Sequence, residues 1–362
     1  MARSRLASGG PTPRTEQRLV TGEGRPTSWW LSDSCIGATL LCAAHAELST
    51  IHDLMTALVR LTLLVALSSP FYASARAGAQ TKSVDTVALH RTLDSLVHRF
   101  HGVLGYSINN LDTGERLAVR GDETFPTASL IKVAILVTVY DLAEKGMLSL
   151  DDPLTLLKID QVPGSGVLQF MHPQMTLSVR DAAVLMSILS DNTATNLLLD
   201  KVVIRRVWQK MEALGLPHTK VHSKVFLRIA SVAVDSSVKY GLGVTTPNEM
   251  ARLFELMANG KAVTPKADSA MLDILANNQD MELMQRTVAG LAVPHKTGAT
   301  DSVRTECALF RLQTRVVACA LTKQNADTRW VVDNEAQLAL GKIGEAILRT
   351  WPRRPERADD SR

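Results

Sequence analysis

The chain has 362 residues, 46% hydrophobic and 21% charged, a balance that excludes a wholly disordered protein and allows one large core or two smaller ones. Its 40 basic and 36 acidic residues leave a formal charge of +4, spread without long single-sign blocks, so no electrostatic footprint for nucleic acid is present. Four cysteines without metal-ligand spacing point to neither a zinc site nor a disulfide framework.

Residues 1–54 hold Gly, Pro, Ser and Arg without periodicity and one apolar patch, and read as an extension upstream of a natural start at Met55. Residues 55–79 have the order of a secretory signal peptide. Arg60 supplies the basic region, residues 61–67 an apolar run too short to span a bilayer, and Ala75, Ala77 or Ala79 ends a small-residue cleavage site. The expectation is an exported protein, periplasmic or secreted, with no stable membrane span after signal removal, a folded domain over 80–352 and a polar tail over 353–362.

Apolar residues at helical spacing predict a helix over 84–100, followed by a hairpin around Asp112-Thr-Gly-Glu115. A long helix is predicted over 129–145, closed by Gly146, and interrupted helices over 177–214. Residues 215–243 lack clear periodicity and read as a long irregular loop, ending at Thr245-Thr-Pro247, a helix start with proline in its first turn. Helices over 249–259 and 268–277, strands over 293–298, 306–312 and 316–322, and an amphipathic helix over 334–351 complete the chain. Strands at both ends around a helical middle predict an α/β (α+β) fold, one antiparallel sheet built from both chain ends and flanked by helices, beside an all-helical subdomain. Cys307 and Cys319 fall in strand-like runs where hairpin register decides whether they share a face, and the reading taken is two buried free thiols.

Three short motifs occur in order: Ser129-Leu-Ile-Lys132, Ser190-Asp-Asn192 and Lys296-Thr-Gly298. A serine hydroxyl is a poor nucleophile at neutral pH, and a lysine three residues along a helix lies on the same face within reach as a base. Accepting a proton requires a lowered lysine pKa, which burial and a second cation such as Lys296 provide. The helix start at Ser129 adds positive potential where an oxyanion would form.

The motifs are separated by 61 and 106 residues and accompanied by Gly164-Ser-Gly-Val-Leu168, Asn192-Thr-Ala-Thr-Asn196, Thr245-Thr-Pro247 and Val303-Arg304. From about residue 86 to residue 351 this set resembles class A β-lactamases and the wider family of penicillin-recognising serine enzymes. The resemblance implies a β-lactamase/transpeptidase-like fold and opening of β-lactam rings through an acyl-Ser129 intermediate. Lys132 would be the adjacent base, and the backbone N–H groups of Ser129 and Ala299 the oxyanion hole. Ser190 would relay a proton, Asn192 hold the substrate amide, and Lys296 and Thr297 bind its carboxylate, assisted by Arg304, which stands one position closer to Lys296 than the family pattern. Gly298 would let the substrate lie against the strand edge. The implied partner is a small-molecule β-lactam or D-alanyl peptide-like substrate, bound by a monomer without cofactor or metal.

The family's deacylating glutamate, in Glu-x-x-Leu-Asn, has no counterpart, since no Asp or Glu stands between Glu212 and Asp235. Asp235 is the candidate replacement, unless Lys132 serves both half-reactions. The expectation is ready acylation with slow deacylation. A D-alanyl peptidase or esterase, and a penicillin-binding sensor that does not turn over, are the alternatives. His218 and His222 are read as surface loop histidines, and His295 as a rim residue pointing away from the side taken by Lys296.

Overall fold

A computed structural model describes residues 86–288 and 290–353. The expected upstream extension, the signal segment and most of the tail lie outside the described residues. In chain order come α1 (Val87–Arg99), β1 (Val103–Asn110), β2 (Arg116–Val119), β3 (Phe125–Pro126), a 3-10 turn (Ala128–Ile131), α2 (Lys132–Glu144), β4 (Pro153–Thr155) and β5 (Thr176–Ser178). Then follow α3 (Val179–Ile188), α4 (Asn192–Val202), α5 (Ile204–Ala213), β6 (Lys220–Val221), α6 (Val234–Tyr240), β7 (Gly243–Thr245), α7 (Pro247–Ala258) and α8 (Pro265–Leu275). The chain closes with β8 (His295–Thr300), β9 (Val303–Arg311), β10 (Arg315–Lys323) and α9 (Glu335–Thr350).

The expected sheet from both chain ends is present as five antiparallel strands in the order β2-β1-β10-β9-β8. Strict alternation along β9 and β10 sends Leu309, Val317 and Leu321 to one face and Ala308, Phe310, Val316 and Ala318 to the other. The first face packs on α7 through Phe254 and, beyond it, the helical subdomain. The second is covered by α1, through Leu89 and Leu93, and by α9. α2 is buried from Lys132 to Leu142, the pattern of a helix that crosses the middle of a core rather than lying on its surface.

Local chemistry explains where the helices start. Thr246 accepts from the Glu249 N–H with Pro247 in the first turn, Thr264 does the same for Ala267 ahead of Pro265, and Ser178 forms a capping box with Asp181. Three expectations are corrected. The helix predicted from Ser129 begins as a 3-10 turn and becomes α-helical only at Lys132. The span 215–243 is not structureless, since it contributes β6, α6 and part of a small sheet ordered β3-β7-β6, elements too short for periodicity to reveal. Cys307 and Cys319 are not free thiols but a disulfide, because the β9–β10 register pairs them directly and both side chains face the core. Among the described residues no helix is long and apolar enough to cross a membrane, and no group of His, Cys, Asp and Glu is arranged to hold a metal ion.

Glu306 is a costly group to bury in the sheet. It is fully buried on β9, one carboxylate oxygen accepts from the Met284 N–H, and the other has no partner. Burial pushes its pKa up to about 8, helped by nearby Asp280 and opposed by the Met284 N–H and Lys296. The native state therefore holds this proton after the unfolded chain has released it, so Glu306 erodes stability as pH rises from the ordinary carboxylate range to about 8. Glu306→Gln is expected to gain stability relative to the parent steadily across that window in urea unfolding, with little difference at pH 4.

Candidate active site

Three chain segments meet at Ser129. The 3-10 turn that carries it is seated against β8, where Gly298 makes the closest approach: a Cβ there would lie 2.4 Å from the Thr127 carbonyl oxygen and 2.8 Å from the Leu130 nitrogen. Packing of strand against turn thus requires glycine here, whether or not a substrate lies along the strand. Thr305 Oγ1, on β9, donates to the Thr127 carbonyl and ties the same turn to the sheet. Ala128, immediately before Ser129, has φ of 45°, a left-handed conformation unfavourable for a residue with a side chain.

Lys132 runs beneath the turn and is 1% exposed. Its Nζ donates to the Ser190 carbonyl at 2.7 Å, to Asn192 Oδ1 at 2.9 Å and to Ser190 Oγ at 3.2 Å. Burial dominates in lowering its pKa well below the ordinary lysine value, Lys296 lowers it further, and Asp191 opposes. Lys296 is equally buried, its Nζ donates to the Thr297 carbonyl, and burial brings its pKa to about 8 against the pull of Asp280 and Glu306.

Ser190 also takes a left-handed conformation, with φ of 54°. It is held by its neighbour Asp191, a residue the sequence reading passed over although it lies inside the motif. One Asp191 oxygen accepts from the Ala194 N–H and caps α4; the other accepts from the Val167 and Leu168 N–H groups at 2.7 and 2.9 Å. Asn192 completes the clamp, with its side chain donating to the Pro163 carbonyl and its N–H to the Ser165 carbonyl. The segment 163–168 is thereby fastened to the turn that positions Lys132.

Ser129, Asn192 and Ala299 line one cavity of about 990 Å³. Ala299 lies on β8, the last strand of its sheet, so one edge of that strand faces the cavity rather than another strand of the sheet. Opposite, the loop after β6 contributes Ser223, Lys224, Val225 and Phe226. Val225 is pinned by a reciprocal pair with Asn196, its N–H donating to Oδ1 at 2.8 Å and its carbonyl accepting from Nδ2 at 3.1 Å. Asp235 sits on the exposed side of α6 and is not among the cavity-lining residues. The carboxylates that do line the cavity, among the described residues, are Glu123, paired with Lys323, and Asp301, which accepts from Trp330 Nε1.

Two further expected site residues are occupied elsewhere. Thr297 Oγ1 donates to Asp280 Oδ2 at 2.6 Å. The Arg304 guanidinium donates to the Thr300, Val303 and Arg329 carbonyls and stacks on Trp330 at 4.6 Å. His218 is exposed in a turn, as read, while the other two histidines differ from the reading. His222 is buried, with a pKa lowered chiefly by burial, and His218 Nδ1 meets Glu249 Oε1 at 2.7 Å. His295 is buried rather than at the rim, with Nδ1 2.8 Å from the Val293 carbonyl and Nε2 3.0 Å from that of Asp280.

The sheet, the helical subdomain and the three assembled motifs define a β-lactamase/transpeptidase-like serine enzyme. The model of the beta-lactamase enzyme family matches residues 88–351, and the chain belongs to that family. At this level the family activity is β-lactam hydrolysis. A beta-lactamase of Rhodobacter capsulatus is 25% identical over 268 residues, 72% of this chain and 89% of that protein. Among solved structures, a beta-lactamase from Sphaerobacter thermophilus shares 26% identity with a TM-score of 0.66, covering 74% of this chain and 97% of that one. PBP-A, with 24% identity and a TM-score of 0.63 over 73% of this chain and 97% of its own, shares the fold, as does a point mutant of PBP-A solved as an acyl-enzyme complex with penicillin G.

Asp191 offers a direct test of the clamp. Asp191→Ala strips an acceptor from two buried N–H groups, each costing about 1–3 kcal/mol when left unpaired, and from the part-buried Val167 N–H, so a loss of at least about 2 kcal/mol in unfolding free energy is expected.

Proposed function

We propose that this chain is an exported, monomeric serine acyl-hydrolase that opens β-lactam rings and releases the product slowly. Ser129 Oγ attacks the ring carbonyl, the Oγ–C bond forms and the C–N bond breaks, while the Ser129 proton passes to neutral Lys132 and through Ser190 to the leaving nitrogen. The N–H groups of Ser129 and Ala299 hold the oxyanion. Asn192 orients the substrate amide, and Lys296 stabilises the developing charge from below. The carrying observation is the buried Lys132 amine, 3.2 Å from Ser190 Oγ and deprived of its usual proton affinity by burial beside Lys296. The buried Cys307–Cys319 disulfide supports an oxidising compartment.

Slow deacylation rests on Val225, an apolar residue that lines the cavity with Ser129 where the loop after β6 offers no carboxylate. The same observation supports a second reading, in which the acyl-enzyme persists and the protein serves as a D-alanyl peptidase or a penicillin-binding sensor.

With a chromogenic cephalosporin, purified protein is expected to give a burst close to one equivalent followed by a slow steady state. Fast linear turnover without a burst would refute slow deacylation. Val225→Glu is expected to raise the steady-state rate by about 10²-fold, the low end of general-base assistance, while leaving the burst phase in place.

The burst rate also carries a pH signature. Only neutral Lys132 accepts the Ser129 proton, so acylation rises as pH passes upward through its depressed pKa. It falls again above about 8, where Lys296 gives up its charge. Stopped-flow bursts from pH 5 to 10 should trace this bell, and Lys132→Ala should lower the plateau by about 10²- to 10⁴-fold.

A further inference from the structure

Beside the cavity that holds Ser129, a side cavity next to the residues to which the family resemblance gives a substrate carboxylate has an acid of its own. Asp280 precedes β8 on a segment whose backbone is held in place: its carbonyl lies 3.0 Å from His295 Nε2, and its N–H donates to Asn278 Oδ1 at 2.8 Å. From there Oδ2 takes the Thr297 hydroxyl at 2.6 Å, so the group expected to donate to a substrate carboxylate already donates to a protein one.

Arg304 does not compensate. Its Nη1 and Nη2 serve backbone carbonyls, and its plane lies against Trp330. Four carboxylates, Asp301, Asp327, Asp280 and Glu282, act on this one guanidinium. Of these, Asp327 is paired with Arg329. Asp280 and Glu282 line a side cavity of about 210 Å³ together with Arg304, and Ala299 and Trp330 border both this cavity and the one that holds Ser129. A carboxylate delivered past Ala299 therefore meets Asp280 and Glu282 beside an Arg304 guanidinium already bound to backbone carbonyls, and finds the Thr297 hydroxyl in use.

We propose that Asp280 is a specificity-determining residue that turns this end of the site against carboxylates and towards acyl substrates carrying an uncharged or cationic group there. This rests on the acylation of Ser129 proposed above. A neutral donor or a cation beside Asp280 keeps the Thr297–Asp280 pair intact and adds an attractive partner. A carboxylate must break that pair to reach Thr297.

Benzylpenicillin and its methyl ester share one scaffold and differ in this group alone, so their relative rates of acylating Ser129, followed by intact mass, isolate the effect. The parent protein is expected to acylate with the ester at least about tenfold faster than with the acid. Asp280→Asn keeps an acceptor for Thr297 and removes the charge, and is expected to shift the acid-to-ester ratio by at least about tenfold towards the acid. A general folding defect would slow both probes together, and Asp280→Ser, which also lacks the charge, must shift the ratio in the same direction. A parent that prefers the acid, or a ratio unmoved in both variants while acylation proceeds, overturns the role of Asp280 and leaves the activity standing. Neither an adduct nor ring-opened product from either probe in any of the proteins, or an adduct that survives Ser129→Ala, overturns the proposed activity and this specificity with it.

Discussion

A primary amine taken out of water must be surrounded by acceptors or give up its proton, and Lys132 is driven towards both. Its three donors meet the Ser190 carbonyl, the Ser190 hydroxyl and the Asn192 amide oxygen, while burial and Lys296 press it towards neutrality. These acceptors help only if they stay in place. Ser190 is held in a left-handed conformation and Asn192 in the first turn of α4, and Asp191 fixes both by capping that helix and gripping segment 163–168. One charge-solvation problem thus accounts for the whole second motif, not only for its serine and asparagine.

The sheet answers a different requirement. The proposed nucleophile sits on a 3-10 turn and keeps its geometry only if something rigid backs it, and β8 approaches near enough for Gly298 to leave no room for a methyl group. β9 stands behind β8 and supplies Thr305 to the same turn. Paired strands and a fully buried helix converge on Ser129 from two sides, so loops contribute walls rather than foundations.

The parts of this arrangement legible in the sequence were those with a repeat or a chemical cap. Helical spacing marked α1, α7 and α9, Thr246 with Pro247 marked a helix start, and the three motifs marked the residues that gather round Lys132. What stayed hidden depended on register or on contacts distant in sequence. The pairing of Cys307 with Cys319 follows from a β9–β10 turn over Leu312, Gln313 and Thr314, which carries no glycine to announce its length, and one residue more or less would have put the sulfurs on opposite faces. The tie between Val225 and Asn196 joins positions 29 apart through a loop without periodicity. Gly298 has a second reason that the sequence did not show, because a close backbone approach and an open substrate edge call for the same residue.

Charge is distributed by depth in this site. The two lysines are each 1% exposed, where low dielectric would magnify their effect on a carbonyl attacked by Ser129 in the proposed reaction. Asp191 and Glu306 are buried with them, and the other acids lie higher: Glu123 and Asp301 line the main cavity, Asp280 and Glu282 the side cavity. Positive charge at depth favours the oxyanion regardless of which acyl group carries it. Negative charge at the walls acts on groups remote from the reacting carbon, and so on which molecules arrive. On the proposed activity, a buried amine pair alone would make the chain an indiscriminate acyl acceptor, and the acids above it would supply a selection that the three motifs do not encode.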